Sequence, residues 1–193
     1  MGSYYYLGAQ LPYLVYGQNP PMSSSAFKAM AWEHMSSGDA ELLDFCTLDP
    51  DPPKDTQGAT EKGSETRIGS DFIKRWKEWE RALRLNLAKG RGLKLKRESG
   101  DAPDSPYDAV AVVKQALTIE SPLEAELFLD NARWDVIDSF QGIDVFSESA
   151  IYAYMLKLLL MERRAVFRTE EGYDEYKGLY AAILGLQTSR KAK

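Results

Sequence analysis

The segment "SPLEAELFLDNARWDVIDSF", residues 121–140, decides the fold of this 193-residue chain. It predicts a well-defined helix start, because Ser121 can cap the first turn, Pro122 suits the first helical position and Glu124 completes a capping box. On a helical wheel its apolar side chains fall on two separate faces. A helix with two apolar faces needs neighbours on two sides. The segment therefore predicts a helical bundle with this helix at its centre.

Charged residues separate the two apolar faces of this helix. Glu126, Asp130 and Arg133 form one narrow strip, and Asp130 and Arg133 can pair because they are three residues apart. A second polar strip lies on the opposite side of the wheel. We predict that both strips face outward through gaps between the neighbouring helices.

A carboxylate also falls within the apolar stripe of the helix predicted from about 148 to 167. Glu162 is costly to bury there unless it is paired, and Arg133 or Arg163 is the expected type of partner. Three interpretations stay open for these charges. They can form ion pairs that hold the bundle together, or a polar pocket that faces a partner, or an acid–base pair of Asp130 and Glu162.

The rest of the chain is also typical of helices joined by loops. The serines at 23–25 predict the cap of a helix that Ser37 and Gly38 interrupt, and a second short helix follows over 40–45. Ser70 predicts the start of a long helix that ends near its glycines at 90 and 92. Its bulky apolar residues repeat at spacings of four, three and four, which is typical of a packing seam: Phe72, Trp76, Trp79 and Leu83.

Residues 49–70 are nearly devoid of apolar side chains and predict a long mobile loop. Residues 107–118 predict a short apolar helix, and Thr169 predicts the start of a last one. We therefore predict one all-α domain, 1–193, built as a bundle of about six to seven helices. The same pattern allows two sub-bundles, 1–48 with 71–118 and 119–187.

The composition excludes several classes of site. The net charge is −5 with a pI near 5.1, which disfavours a general nucleic-acid binder. A single cysteine, Cys46, suits a reducing cytoplasm and a buried apolar position, and a single histidine, His34, excludes a histidine-rich metal site. The most apolar stretch, 150–161, is too short to span a membrane. We predict a cytoplasmic protein without a cofactor and without catalytic residues.

Charge is segregated along the chain. Residues 71–97 contain ten Lys or Arg and three acids, whereas residues 98–150 contain twelve acids and two bases. Such segregation is found in two solvated faces that attract each other weakly, and also in a polar molecule that docks in one orientation. The stretch "KGRGLKLKR" can also contact RNA, although no interleaved aromatic residues support that.

Several segments resemble an uncharacterised bacterial family whose genes lie within V/A-type ATPase operons. They are "YYYLGAQLPYL", "SGDAELLDFC", "RWKEWERALRLNLAKGRG", "SPLEAELFLDNARWDVID" and "AYMLKLLLMERRAVF", of which "PLEAELFLDNARW" and "LKLLLMER" are the most specific. The start is also similar to the all-helical adaptor protein of these rotary ATPases, with Gln10 in place of an arginine. That adaptor sits between the membrane rotor ring and the central stalk.

The resemblance implies a non-catalytic adaptor that binds the central stalk and membrane ring subunits of a V/A-type ATPase. It implies a cytoplasmic location, peripheral at the inner membrane, with membrane association only through partners. An assembly factor for the same ATPase is the first alternative, and an enzyme with an acidic pocket at Asp130 and Glu162 is the second. We predict that the partner-binding residues are the charged ones in the central strips and the basic helix: Arg133, Asp130, Glu126, Glu162, Arg163, Arg84, Arg91 and Lys94.

Overall fold

The computed structural model describes residues 4–49, 69–95, 106–166 and 179–180. These residues form seven α-helices and one 3₁₀ turn and contain no extended strand, which confirms the all-α prediction. The elements are α1 Tyr5–Gln10, α2 Ser24–His34, α3 Ser37–Leu42, a 3₁₀ turn Leu43–Phe45, α4 Asp71–Lys94, α5 Tyr107–Ala116, α6 Pro122–Gln141 and α7 Glu148–Val166. Most of the loop predicted over 49–70 and most of the last predicted helix lie outside the described residues.

Helix α6 begins where the sequence predicts. The Ser121 hydroxyl accepts a hydrogen bond from the backbone N–H of Glu124 at 3.4 Å, and Pro122 is the first helical residue. The helix ends at Gly142, whose φ of 78° is a left-handed conformation that glycine adopts without strain.

The boundary between α2 and α3 differs from the prediction. Ser37 and Gly38 do not interrupt a helix but form the first turn of α3, while α2 ends at His34. The reason is that Ser36 caps α3, since its hydroxyl accepts a hydrogen bond from the backbone N–H of Asp39 at 3.2 Å. The cap supplies an acceptor for one of the first-turn N–H groups, which have no partner within the helix itself.

The start of α4 is at Ser70 as predicted, but the serine side chain does not cap it. The Ser70 backbone carbonyl accepts a hydrogen bond from the N–H of Lys74 at 3.2 Å. The buried hydroxyl has no hydrogen-bond partner in the described part of the chain. The helix then continues through both glycines to Lys94, with Gly90 packed against the side chain of Leu117.

Contacts along the three long helices define their directions. α4 runs antiparallel to α6, because Arg75 stacks on Phe140 with 4.2 Å between guanidinium carbon and ring centre, and Arg91 pairs with Glu126 at 3.1 Å at the other end. α6 and α7 are also antiparallel, joined by the loop 142–147. α6 contacts α4, α5 and α7, so it has neighbours on more than one side, as its two apolar faces predict.

The residues of the predicted packing seam of α4 are all buried and form much of the core: Phe72, Trp76, Trp79 and Leu83. Trp76 and Trp79 are stacked with 6.1 Å between their ring centres, and both are buried. The indole N–H of Trp79 also donates to the Asp108 carboxylate at 3.0 Å. Trp134 is buried too, but Trp32 is 47% exposed. Trp32 lies on the outer face of a short helix whose inner face is already filled by Phe27.

The cap of α7 gives a direct test of how the helices are specified. The Ser147 hydroxyl accepts a hydrogen bond from the backbone N–H of Ala150 at 3.2 Å. We expect Ser147→Ala to lower the free energy of unfolding by about 1 kcal/mol, because that N–H loses its side-chain acceptor and keeps only the backbone carbonyl of Ser147 at 3.1 Å. Urea denaturation measures this, with Ser149→Ala in the same helix as the matched control. Equal losses for the two variants would contradict a capping role.

Candidate functional site

A buried cluster of charges joins α4 to α6. Nε of Arg133 donates to Oε2 of Glu80 at 3.0 Å, and Nη2 donates to Oε1 at 3.1 Å, so the pair is bidentate. Nη1 of Arg133 donates to Oδ1 of Asp130 at 3.1 Å. All three side chains are buried, with only 4% of Arg133 exposed. We call Glu80, Asp130 and Arg133, together with Arg84 and Arg163, the arginine network.

Two further arginines complete the arginine network. Nε of Arg84 donates to Oε1 of Glu80 at 2.7 Å, and the same guanidinium donates to the backbone carbonyl of Leu48. Arg163 of α7 donates to Asp130. Desolvation by burial lowers the pKa of the Arg163 guanidinium, while the nearby carboxylate of Glu80 acts in the opposite direction. Three helices thus contribute to one charge cluster.

The arginine network confirms one prediction about the central strip and corrects another. Asp130 and Arg133 do pair at a spacing of three. They do not face outward through gaps, because α4 and α7 cover them and supply Glu80 and Arg163. Of the three residues in this strip, only Glu126, one turn before Asp130, is exposed.

Glu162 has a different partner from the predicted arginine. Its Oε1 accepts a hydrogen bond from the backbone N–H of Ser24 at 2.6 Å, and its Oε2 accepts from the Ser24 hydroxyl at 2.7 Å. Ser24 is the first residue of α2, where free N–H groups and the helix dipole favour an anion. The prediction of an Arg133 or Arg163 partner was therefore wrong. Asp130 and Glu162 bind separate partners and do not form a joint acid–base pair.

The remaining predicted residues lie near the ends of α4 and α6. Arg91 and Glu126 form an exposed ion pair with 3.1 Å between Nη2 and Oε1. Lys94 donates to the backbone carbonyl of Leu117. Of the eight predicted residues, the structure places Arg84, Asp130, Arg133 and Arg163 in one network and leaves the other four outside it. Their role in binding a partner stays a prediction.

A surface groove lies at the opposite end of α6 and was not predicted as a site. It has a volume of about 340 Å³ and lies between the chain after α1, the end of α6 and the first half of α7. Tyr13 on its rim is 90% exposed, and Val145 on the facing loop is also exposed. We call it the aromatic groove; its lining includes Leu11, Pro12, Tyr13, Trp134, Val145 and Tyr154.

Polar contacts hold the walls of the aromatic groove in place. Lys157 of α7 pairs with Asp138 of α6, and its ammonium lies 5.2 Å from the ring centre of Trp134. The hydroxyl of Tyr154 donates to the backbone carbonyl of Pro12 at 3.0 Å. Burial raises the pKa of Tyr154 to about 12, because the phenolate is poorly solvated there. No sequence pattern predicted this surface, because its lining residues come from three separate segments.

The described residues contain no group of three or more His, Cys, Asp or Glu placed to hold a metal ion. Within the same ranges, no helix is both long and apolar enough to cross a membrane. Cys46 is buried as predicted, and burial raises the pKa of its thiol.

Comparison of the chain with protein families, with curated proteins and with solved structures finds no match. The resemblance to the V/A-type ATPase operon family therefore stays a prediction.

The arginine network makes a testable contribution to stability. Arg133→Met leaves Glu80 and Asp130 buried with fewer cations, so we expect the free energy of unfolding to fall by about 3–5 kcal/mol. Arg91→Met removes an exposed ion pair and is the matched control, with an expected loss below about 1 kcal/mol. Chemical denaturation at neutral pH measures both. A small loss for Arg133→Met would show that the buried charges are not coupled as their distances indicate.

The buried phenol of Tyr154 makes the free energy of unfolding depend on pH in alkaline solution. Its folded pKa is raised above the unfolded value, so its contribution to stability is complete below about pH 10 and is lost as pH rises toward about 12. We expect Tyr154→Phe to flatten the alkaline decline of the free energy of unfolding, with a small loss at neutral pH from the missing hydrogen bond. Tyr13→Phe is the exposed control. Parallel declines for Tyr154→Phe and the unmodified chain would contradict the buried position of this phenol.

Proposed function

We propose that this chain is a non-catalytic adaptor of a bacterial V/A-type ATPase. It binds at the junction of the central stalk and the membrane rotor ring, on the cytoplasmic side of the inner membrane. The observation that carries the proposal is the aromatic groove, whose rim exposes the side chains of Tyr13 and Val145. The resemblance to the ATPase-operon family supports the identity of the partner.

The aromatic groove has the properties of a protein-binding surface. Exposed aromatic and aliphatic side chains that cluster around a concavity are typical of interfaces, whereas single exposed apolar residues are common everywhere. Tyr13 and Val145 line the groove and meet this description. The backbone beneath them is held by a hydrogen bond from the N–H of Tyr4 to the carbonyl of Phe146 at 2.8 Å. A preformed surface loses little entropy when it binds.

The arginine network supports an adaptor in a different way from the one predicted. Asp130 and Arg133 are covered by neighbouring helices, so they act on a partner only by holding the bundle rigid. Arg91, Lys94 and Glu126 are exposed and remain available for contacts. The adaptor role therefore combines a rigid polar centre with docking surfaces at the ends.

Two alternatives differ from the adaptor in observable ways. An assembly factor for the same ATPase would bind intermediates and be absent from the mature complex. An enzyme would use the carboxylates of Asp130 and Glu162, but the first binds two arginines and the second binds Ser24. The geometry gives that alternative no support beyond the sequence pattern.

Affinity purification of the tagged protein from detergent-solubilised native membranes tests the proposal. We expect stalk and ring subunits in stoichiometric amounts with the unmodified chain, and recovery reduced about tenfold or more for Tyr13→Lys combined with Val145→Lys. Leu123→Lys is the control, because Leu123 is an exposed apolar residue near the other end of α6. Recovery of the free protein alone would overturn the adaptor. Recovery with incomplete complexes only would favour the assembly factor.

A further inference from the structure

The last turn of α7 carries an arginine whose charge is not balanced within the described part of the chain. Lys157 of the same helix pairs with Asp138, and Arg163 pairs with Asp130. Arg164 has neither an ion pair nor a hydrogen bond with any described residue. Its side chain is only partly exposed. A partly buried cation without an anion is poorly solvated, so this position favours the binding of an anionic group.

Two residues of the segment 11–22, which joins α1 to α2, restrain the Arg164 guanidinium. Its carbon lies 5.0 Å from the ring centre of Tyr16. A Cβ at Gly17 would lie 3.7 Å from the guanidinium carbon and from both Nη atoms, so a flat face of the group points at Gly17. Gly17 has a φ of 90°, which a larger residue adopts only with strain. These contacts orient the guanidinium before any ligand binds.

The N–H groups of Arg164 are open to a ligand. They lie in the plane of the guanidinium, so contacts on its flat faces do not occupy them. Among the described residues, only the Ser70 hydroxyl is both buried and without a hydrogen-bond partner, so solvent reaches the Arg164 nitrogens. A planar fork of N–H donors binds a carboxylate through two parallel hydrogen bonds. The site therefore suits one group with two anionic oxygens.

The segment 11–22 also joins Arg164 to the aromatic groove, whose wall includes the first residues of this segment. The ring of Tyr16 packs edge-on against Trp134 of the groove, with 5.5 Å between the ring centres. Lys157 of the groove wall precedes Arg164 by two turns of α7, which is about 10 Å along the helix axis. An extended partner segment spans that distance with about three residues.

We propose that Arg164 binds a carboxylate side chain of the protein that docks in the aromatic groove. The proposal rests on the docking role proposed above and adds one group that the partner presents. Membranes and nucleic acids are held through clusters of cations, whereas Lys157 and Arg163 beside this site are already paired. A single restrained guanidinium suits a single carboxylate instead.

Site-specific cross-linking in lysed cells of the natural host tests the proposal. Arg164→Lys keeps the charge and provides an amine at position 164. A carbodiimide activates a neighbouring carboxylate, which forms an amide with this amine while the reagent leaves as a urea. We expect mass spectrometry to find position 164 joined to one Asp or Glu of a stalk or ring subunit.

Arg75→Lys is the matched control for the cross-link. Arg75 stacks on Phe140 with 4.2 Å between guanidinium carbon and ring centre, and it has no carboxylate partner among the described residues. It is exposed, however, so water solvates its charge and no ligand is needed there. We expect little product at position 75. Equal yields at positions 75 and 164 would show only that exposed amines react.

A charge-removing variant measures the strength of the contact. Arg164→Gln should reduce recovery of the stalk and ring subunits about tenfold or more, because a charge-assisted bidentate contact is lost. Arg75→Gln should leave recovery nearly unchanged. Thermal unfolding followed by circular dichroism verifies that both variants fold.

The remaining outcomes separate this proposal from the adaptor proposal. A link from position 164 to Glu170 or Glu171, which lie outside the described residues, would show that the anion is internal and would overturn the role of Arg164. Recovery of stalk and ring subunits without a product at position 164 would overturn that role and leave the adaptor intact. A product with a carboxylate of an unrelated protein would support the site and overturn the ATPase assignment. Neither a product nor those subunits would overturn both.

Discussion

Arg133 lies between two carboxylates in the interior, and the alignment of the three long helices depends on its contacts. Removing these charges from water is costly, and the cost is offset only when every hydrogen bond is made. A shift of α4 by one residue would rotate Glu80 by about 100° and break its bidentate contact with Arg133. Arg163 applies the same constraint to α7 through Asp130. Apolar side chains tolerate small shifts, so the arginine network is the contact that favours one alignment over its neighbours.

The short helices are attached to this centre by polar bonds at defined points on α7. Glu162 holds the first turn of α2, and the hydroxyl of Tyr152 donates to the backbone carbonyl of Asp39 in α3 at 3.1 Å. Short helices are marginal by themselves, so such bonds matter more to them than to α4 or α6. The carboxylate that interrupts the apolar stripe of α7 is thus explained by the helix start that faces it. Phe27 and Tyr154 then pack between α2 and α7, with 4.9 Å between their ring centres.

The sequence predicted what depends on neighbours along the chain. The all-α fold, the cap at Ser121 and the Asp130–Arg133 pair all follow from spacings within one helix. Contacts between distant segments were not predictable in this way. Glu80 lies 53 residues before Arg133, and Glu162 lies 138 residues after Ser24, so no local pattern joins them. The same limit applies to the aromatic groove, whose walls come from three separate segments.

Both ends of α6 are joined to neighbouring helices by charged side chains. Near its first turns Glu126 pairs with Arg91 of α4, and near its last turns Asp138 pairs with Lys157 of α7 beside the aromatic groove. Between these two pairs, Asp130 and Arg133 join α6 to both α7 and α4 through buried charges. Rearranging these buried charges would be costly, so the arginine network also favours one position of the groove wall that α6 and α7 form.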